Sequence, residues 1–365
     1  MTHQNITRAQ SSRIAAFDLL RGYFIVVIVL DHLWQYPSLW SLITGQGSLW
    51  ITAAEGFIMI SGFLIGYIRG YKGLKKSFRE ISVLLLKRAF MLYVWMVIVG
   101  MGYVYIEWNN FLPAMPYTDL VRHDYWQAFV SFATGGKPHV WIHFLYLYAI
   151  FLVMAIGAVW LLRRNRPYIL LLLTSLIYLA GMLWDVEWMK WQMLFFLPSV
   201  VGFYFEGLRN WWNHLQKNRR SKIKLAIYLS AFTTVSISTY LTFSANVSPI
   251  TKGYSWAIFS NEVFSPAKII MAALWFTALA LLFNRFAAQI QKATAGTLEY
   301  IGQNSLTAYI IHGYVICLIN WCFYKTIGEP ESSWLFIVNT LLGAITVAVM
   351  YLFMRLPIVK RVIPR

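Results

Sequence analysis

Charge is what this sequence has least of. Only 12% of its 365 residues are Asp, Glu, Lys or Arg, about half of the roughly 25% that a soluble domain needs to clothe its surface. Most of the surface must therefore face something other than water. Acidic residues are scarcest, 14 against 31 Lys and Arg. Cysteine is nearly absent. Cys317 and Cys322 share one late apolar run with no further Cys or paired His nearby, which excludes a disulfide framework and a zinc site, and no metal is expected. Internal repeats and low-complexity tracts are missing too, so the chain reads as one membrane-embedded domain over 1–365. A cleavable leader is not expected, because the first apolar run is long and is interrupted by Asp18 and Arg21.

What the chain has instead is apolar and aromatic. Hydrophobic residues make up 59% and aromatics 18%, and many of the 17 Trp stand near the ends of apolar runs, where amphipathic rings form interfacial belts. The formal net charge of +17 could suggest nucleic acid. The basic residues are dispersed over short loops, however, and no basic domain carries a footprint. A spanning helix needs roughly 20 mostly apolar residues. Ten runs qualify: 14–34, 49–69, 82–105, 139–162, 167–184, 190–208, 224–243, 266–284, 299–321 and 334–354. The fifth is short and the sixth contains Pro198. The expected fold is an all-α polytopic membrane protein of about ten helices around a polar cavity.

Loop charge orients that fold. With the N-terminus inside, the inner segments collect Arg69, Lys72, Lys75, Lys76, Arg79, Arg163, Arg164, Arg166, Arg209 and the run from Lys217 to Lys224. The outer segments hold only Arg122, Lys137, Lys190, Lys252, Lys268 and Lys325. Positive loops stay cytoplasmic, so both tails, 1–13 and 355–365, are expected in the cytoplasm. The bacterial inner membrane is the expected location. The longest outer loop, 106–138, has apolar residues at helical spacing near 118–133. It reads as an amphipathic helix at the interface or folded into the bundle, acting as a connector or as a substrate lid.

Ionisable residues inside spanning helices are costly and usually mark function. The first span carries four: Asp18, Arg21, Asp31 and His32. Helical periodicity puts Asp18, Arg21 and His32 along one stripe, with Arg21 towards the inner side and His32 towards the outer. Asp18 and Arg21 also fit an i,i+3 ion pair, and His32 also fits an interfacial histidine. Asp31 points about 100° away from His32 on the helix. Glu55, near the outer end of the second span, is expected at the depth of His32, where a carboxylate could fix its tautomer. Lys87 and Arg88 open the third span, either as an anion site or as side chains snorkelling to headgroups. His143 starts the fourth span, and the ninth, IGQNSLTAYIIHGY, carries Asn304, Ser305 and His312. The last three read as cavity-lining groups or as interhelical hydrogen-bonding glue.

The combination DLLRGYFIVVIVLDH, AAEGFIMISGF, KRAFMLYVW and GQNSLTAYIIH resembles the OpgC-type membrane acyltransferases of the wider acyltransferase-3 superfamily. The likeness runs through most of the chain in order. It implies about ten helices around a polar cavity and transfer of an acyl group from cytoplasmic acyl-CoA to an extracytoplasmic hydroxyl. Named members succinylate periplasmic glucans. The resemblance carries the family's first-span histidine onto His32, its arginine onto Arg21 and its second-span carboxylate onto Glu55. Where members often have Arg or Gln, this chain has Met91, and where Arg is common it has Gln303, so donor contacts and acyl choice stay open.

The residues suit that chemistry. Acyl transfer to a sugar hydroxyl needs a base and donors for the oxyanion. His32 is the expected general base, with Glu55 and Asp31 as catalytic partners. Arg21, Asp18, Lys87 and Arg88 are expected at the acyl-CoA phosphates, and His143, Asn304, Ser305 and His312 at the acceptor. Acyl-CoA would be a cosubstrate, with no permanently bound cofactor. A proton-coupled transporter or flippase also uses buried Asp, Glu and His, but the sequence shows neither inverted repeats nor paired broken helices. A membrane scaffold would leave four ionisable residues in one span unexplained.

Overall fold

The computed structural model describes residues 3–109, 120–136, 139–326 and 335–363, and every regular element among them is helical. The first part of the chain forms α1 (His3–Leu33), α2 (Ser41–Thr44) and α3 (Ala53–Leu64), which continues as a π-helix over Ile65–Tyr71. Next come α4 (Phe78–Trp108), α5 (Tyr125–Thr134), α6 (His143–Arg163), α7 (Pro167–Trp184), α8 (Glu187–Trp191), α9 (Met193–Phe203) and α10 (Phe205–His214). The chain ends with α11 (Lys217–Phe243), α12 (Pro249–Phe259), α13 (Pro266–Ala293), α14 (Thr297–Gln303), α15 (Ser305–Thr326), α16 (Leu335–Arg355) and α17 (Pro357–Val362).

Among the described residues seven helices are long and apolar enough to cross a bilayer: α4, α6, α7, α11, α13, α15 and α16. The chain is a polytopic membrane protein. The three other expected spans depart from a plain apolar helix for physical reasons. The described part of α1 carries Asp18, Arg21 and Asp31. The second span starts as an α-helix and widens into a π-helix. The sixth is broken into α8, α9 and α10, with Pro198 inside α9 and Tyr204 leaving helical geometry after it. The ninth run likewise divides at Asn304, where φ −114° and ψ 34° separate α14 from α15.

The chain forms two compact units. The first comprises 1–17, 48–87 and 150–287, and the second 18–47, 88–149 and 288–365. In the first, α3 and its π extension pack against α9 through backbone-to-backbone approach. A Cβ added at Gly62, Gly66 or Gly202 would stand 2.0, 1.8 or 2.1 Å from the carbonyl oxygens of Phe195, Ser199 and Phe63. Only small residues permit such approach between membrane helices.

The second unit repeats the device where α1 meets α14. Gly22 faces the Leu298 carbonyl and Gly302 the Asp18 carbonyl, with added Cβ atoms at 2.0 and 1.7 Å. Gly302→Ala is therefore expected to cost at least the ~1–3 kcal/mol of ordinary overpacking, read as a lower melting temperature in detergent. An unchanged melting temperature would show that these helices do not meet so closely. The loop after α1 docks on α16: Leu39 N–H donates to Thr340 Oγ1 at 2.9 Å, the Trp40 indole to the Thr340 carbonyl at 2.8 Å, and Asn339 to the Pro37 carbonyl at 3.1 Å.

Of the long loop, 110–119 and 137–138 lie outside the described residues. Its helix is α5, starting later than the amphipathic pattern suggests. Ala128 and Phe132 are buried in a cluster with Val104 and Trp108 of α4, so its apolar face is folded into the second unit. Asp124 caps it by accepting from the Gln127 N–H at 2.8 Å.

Candidate active site

In the second unit α1 and α15 bring two imidazoles together. His32 Nδ1 lies 2.8 Å from His312 Nε2, with ring centroids 5.0 Å apart. The other ring nitrogen of His312, Nδ1, meets the Tyr309 carbonyl one helical turn back. A carbonyl only accepts, so Nδ1 of His312 carries the proton and its Nε2, in the neutral ring, is an acceptor. His32 Nδ1 must then be the donor. The remaining nitrogen of His32, Nε2, then carries the lone pair, which is the tautomer a general base requires. His312 is buried and His32 half-buried.

Aromatic residues wall this pair. Trp141 stacks on His32 with ring centroids 5.7 Å apart and an angle of 12°. His139, buried, accepts from the Trp141 N–H through Nδ1 at 3.2 Å, and the buried Tyr103 ring lies 4.9 Å from it. Sequence reasoning singled out His143 on this stretch and passed over His139, Trp141 and Tyr103. The available signal was a second histidine four residues earlier, at the mouth of the same span. His143 itself is partly buried, with the Tyr146 ring 6.0 Å away.

About three turns before His32 on α1, the Arg21 guanidinium donates to Ser305 Oγ, tying α1 to the first residue of α15. Asp18 interacts electrostatically with Arg21 and hydrogen-bonds the Gln303 side chain. The Gly22–Gly302 contact brings these groups within reach. Asn304 is committed locally: its amide donates to the Tyr300 carbonyl at 2.9 Å and marks the helix break.

Two expected catalytic carboxylates have other partners. Asp31 accepts from Tyr36 Oη at 2.8 Å and is hydrogen-bonded by Thr44 and the Gly47 backbone. It thus anchors the 34–47 loop. Burial pushes the Tyr36 phenol above its ordinary range, which keeps it a donor. Glu55 was expected to orient His32. Its contacts lie instead within the first unit. One oxygen accepts from Thr52 N–H at 2.8 Å and Thr52 Oγ1 at 2.6 Å, closing a capping box at the start of α3. The other lies 2.8 Å from Lys268 Nζ. The partner the structure gives His32 is His312.

Lys268, counted among the outer-side charges, is buried rather than solvated. It sits in the first turn of α13, held by Glu55 and by the Trp50 and Phe259 carbonyls at 3.0 and 2.8 Å. Lys190 is similarly buried, donating to Asp185 and to the Glu262 carbonyl. Of the inner-side cations expected at the donor, Lys87 is exposed on α4 and Arg88 half-buried. Among the described residues no group of three His, Cys, Asp or Glu could hold a metal ion.

Residues 13–357 match the family described as OpgC protein. The chain belongs to the OpgC family. The match covers nearly the whole chain, so both units, the His32–His312 pair and the Glu55–Lys268 pair belong to the OpgC-family region. No curated protein and no solved structure matches the chain.

Proposed function

We propose that this OpgC-family protein is a membrane O-acyltransferase. It moves a succinyl or acetyl group from cytoplasmic acyl-CoA to a hydroxyl of an extracytoplasmic glycan. The observation that carries the reading is the 2.8 Å contact of His32 Nδ1 with His312 Nε2, from which a His32 tautomer with its lone pair on Nε2 follows.

The acceptor hydroxyl attacks the thioester carbonyl while its proton passes to His32 Nε2. The imidazolium so formed keeps its Nδ1–H on His312, which spreads the charge in a water-poor site. The tetrahedral intermediate then collapses, the carbon–sulfur bond breaks, and the CoA thiolate takes the proton back from His32. The ester forms and the base is regenerated. His312 acts as a positioning residue, and the stacked Trp141 restricts the ring plane of His32. Arg21, steadied by Ser305, supplies positive charge towards the donor side. Glu55 serves as a structural carboxylate paired with Lys268. Both termini are assigned to the cytoplasm on the distribution of basic loops.

The test is to incubate purified protein with labelled acyl-CoA and a glucan acceptor. CoA release that depends on the glycan, with label appearing on it, is the expected result. Ligand-coupled proton flux in vesicles without CoA release would overturn the enzyme in favour of the transporter or flippase, for which a buried imidazole pair would serve as relay.

A further inference from the structure

The second span changes character where it nears the basic loops. Past Leu64 it becomes a π-helix, a form that is rare and frequent at functional sites. Side chains four residues apart share one face of the span through this stretch. Phe63, Tyr67 and Tyr71 form a ladder there, each ring centroid 6.2 Å from the next and the last two planes 6° from parallel. Gly66 and Gly70 face the other way, towards Ser199 and Phe203.

Cations surround the end of the ladder. Lys72 Nζ lies 4.7 Å over the Tyr67 ring. The Tyr67 hydroxyl donates to Glu206 at 2.7 Å, and Glu206 in turn takes Arg209 at 3.0 Å. Phe205 sets its edge against Phe63 and Tyr67. Arg163 donates to the Gly73 and Lys76 carbonyls, folding the Lys72–Lys76 turn back onto the same unit. Tyr71 is 39% exposed, and Lys72, Lys75 and Lys76 are exposed beside it. A lipid headgroup would use the lysines and can seat an interfacial ring, but it gains nothing from two ring planes only 6° from parallel. A planar base carrying phosphates uses both, through stacking and charge.

We propose that Tyr71 and Lys72, backed by the Tyr67 ladder and Arg209, form the site for the adenine nucleotide end of the acyl-CoA donor. This rests on the acyltransferase reading above. Two stacking contacts of about 3.5 Å each exceed the 6.2 Å between rungs, so the base lies on the exposed face of Tyr71 and extends the ladder. The phosphates meet Lys72 and its neighbours. The positive-inside rule puts this end in the cytoplasm, where acyl-CoA is found.

Succinyl-CoA and acetyl-CoA are compared with the matching acyl-pantetheines, which keep the thioester and lack the nucleotide. In Tyr71→Ala and Lys72→Gln the ratio of kcat/KM for acyl-CoA to that for acyl-pantetheine is expected to fall about ten-fold or more, with Tyr71→Phe keeping the wild-type ratio. Equal losses on both donors, or no loss, would overturn the site, because a scaffold or lipid contact does not distinguish them. Binding of labelled CoA to the same proteins in detergent gives a readout independent of turnover. Weaker binding in Tyr71→Ala supports the site even if no glycan is acylated, in which case the acyltransferase reading fails by itself. Unchanged binding sinks the site.

Discussion

His32→Ala is expected to lower glycan-dependent acyl transfer by about 10³-fold, within the 10²–10⁴ that a positioned general base contributes. The loss should fall mainly on kcat, since the proton moves to His32 in the transition state. His312→Ala should cost less, about 10²-fold. His32 then keeps its nitrogen but loses the acceptor that holds its tautomer, and both ring forms become populated. The double variant should be no worse than His32→Ala alone, because groups acting as one unit are not additive. His312→Gln separates geometry from mere filling of space. Its amide oxygen can accept from His32 Nδ1, so it should retain more activity than His312→Ala. Each variant is compared at matched melting temperature and monodisperse elution. Full acyl transfer by His32→Ala would end its assignment as the base, and equal activity in the two His312 variants would end the tautomer argument.

Lys268→Met is expected to be the most destabilising single change in the first unit. Glu55 is fully buried and Lys268 nearly so. Removing one partner leaves a charge with no counter-ion, at a cost of about 3–5 kcal/mol. Glu55→Gln should cost less, since Lys268 keeps the Trp50 and Phe259 carbonyls. The combination Glu55→Gln with Lys268→Met should recover most of the loss, because neither charge then remains. Melting temperatures in detergent read all three, and an unchanged Lys268→Met value would show that the pair is well hydrated. The double variant also decides what Glu55 does. If the carboxylate only secures α3 to α13, acyl transfer returns with stability. If activity stays lost in a protein of restored stability, Glu55 takes part in the chemistry.

Much of this protein was legible because lipid is a severe solvent. Backbone groups must be satisfied within each span, so spans show as apolar runs. Charges inside them are rare enough that Asp18, Arg21, Asp31, His32 and Glu55 stand out without any structure. His312 and Ser305 were visible for the same reason. The helix count was less legible, since periodicity cannot tell an α-turn from the π-turns of Ile65–Tyr71 or foresee the break at Tyr204.

Pairing was not legible at all. His32 and His312 are separated by 280 positions, and neither residue's neighbours name the other. Glu55 looked like the partner of His32 because both were expected near the outer ends of consecutive spans, yet Thr52 and Lys268 take its oxygens. Loop counting put Lys268 among the outer-side charges, and only packing shows it buried at the start of α13 with Glu55. His139 and Trp141 gave almost no linear signal, being one polar and one aromatic residue at the mouth of a span. The scarcity of charge thus determined by itself that this is a polytopic membrane protein and which residues are out of place there. Only the tertiary structure decided which of those residues meet, because a hydrogen bond depends on ångström-scale distance and direction, and sequence periodicity fixes neither between helices far apart in the chain.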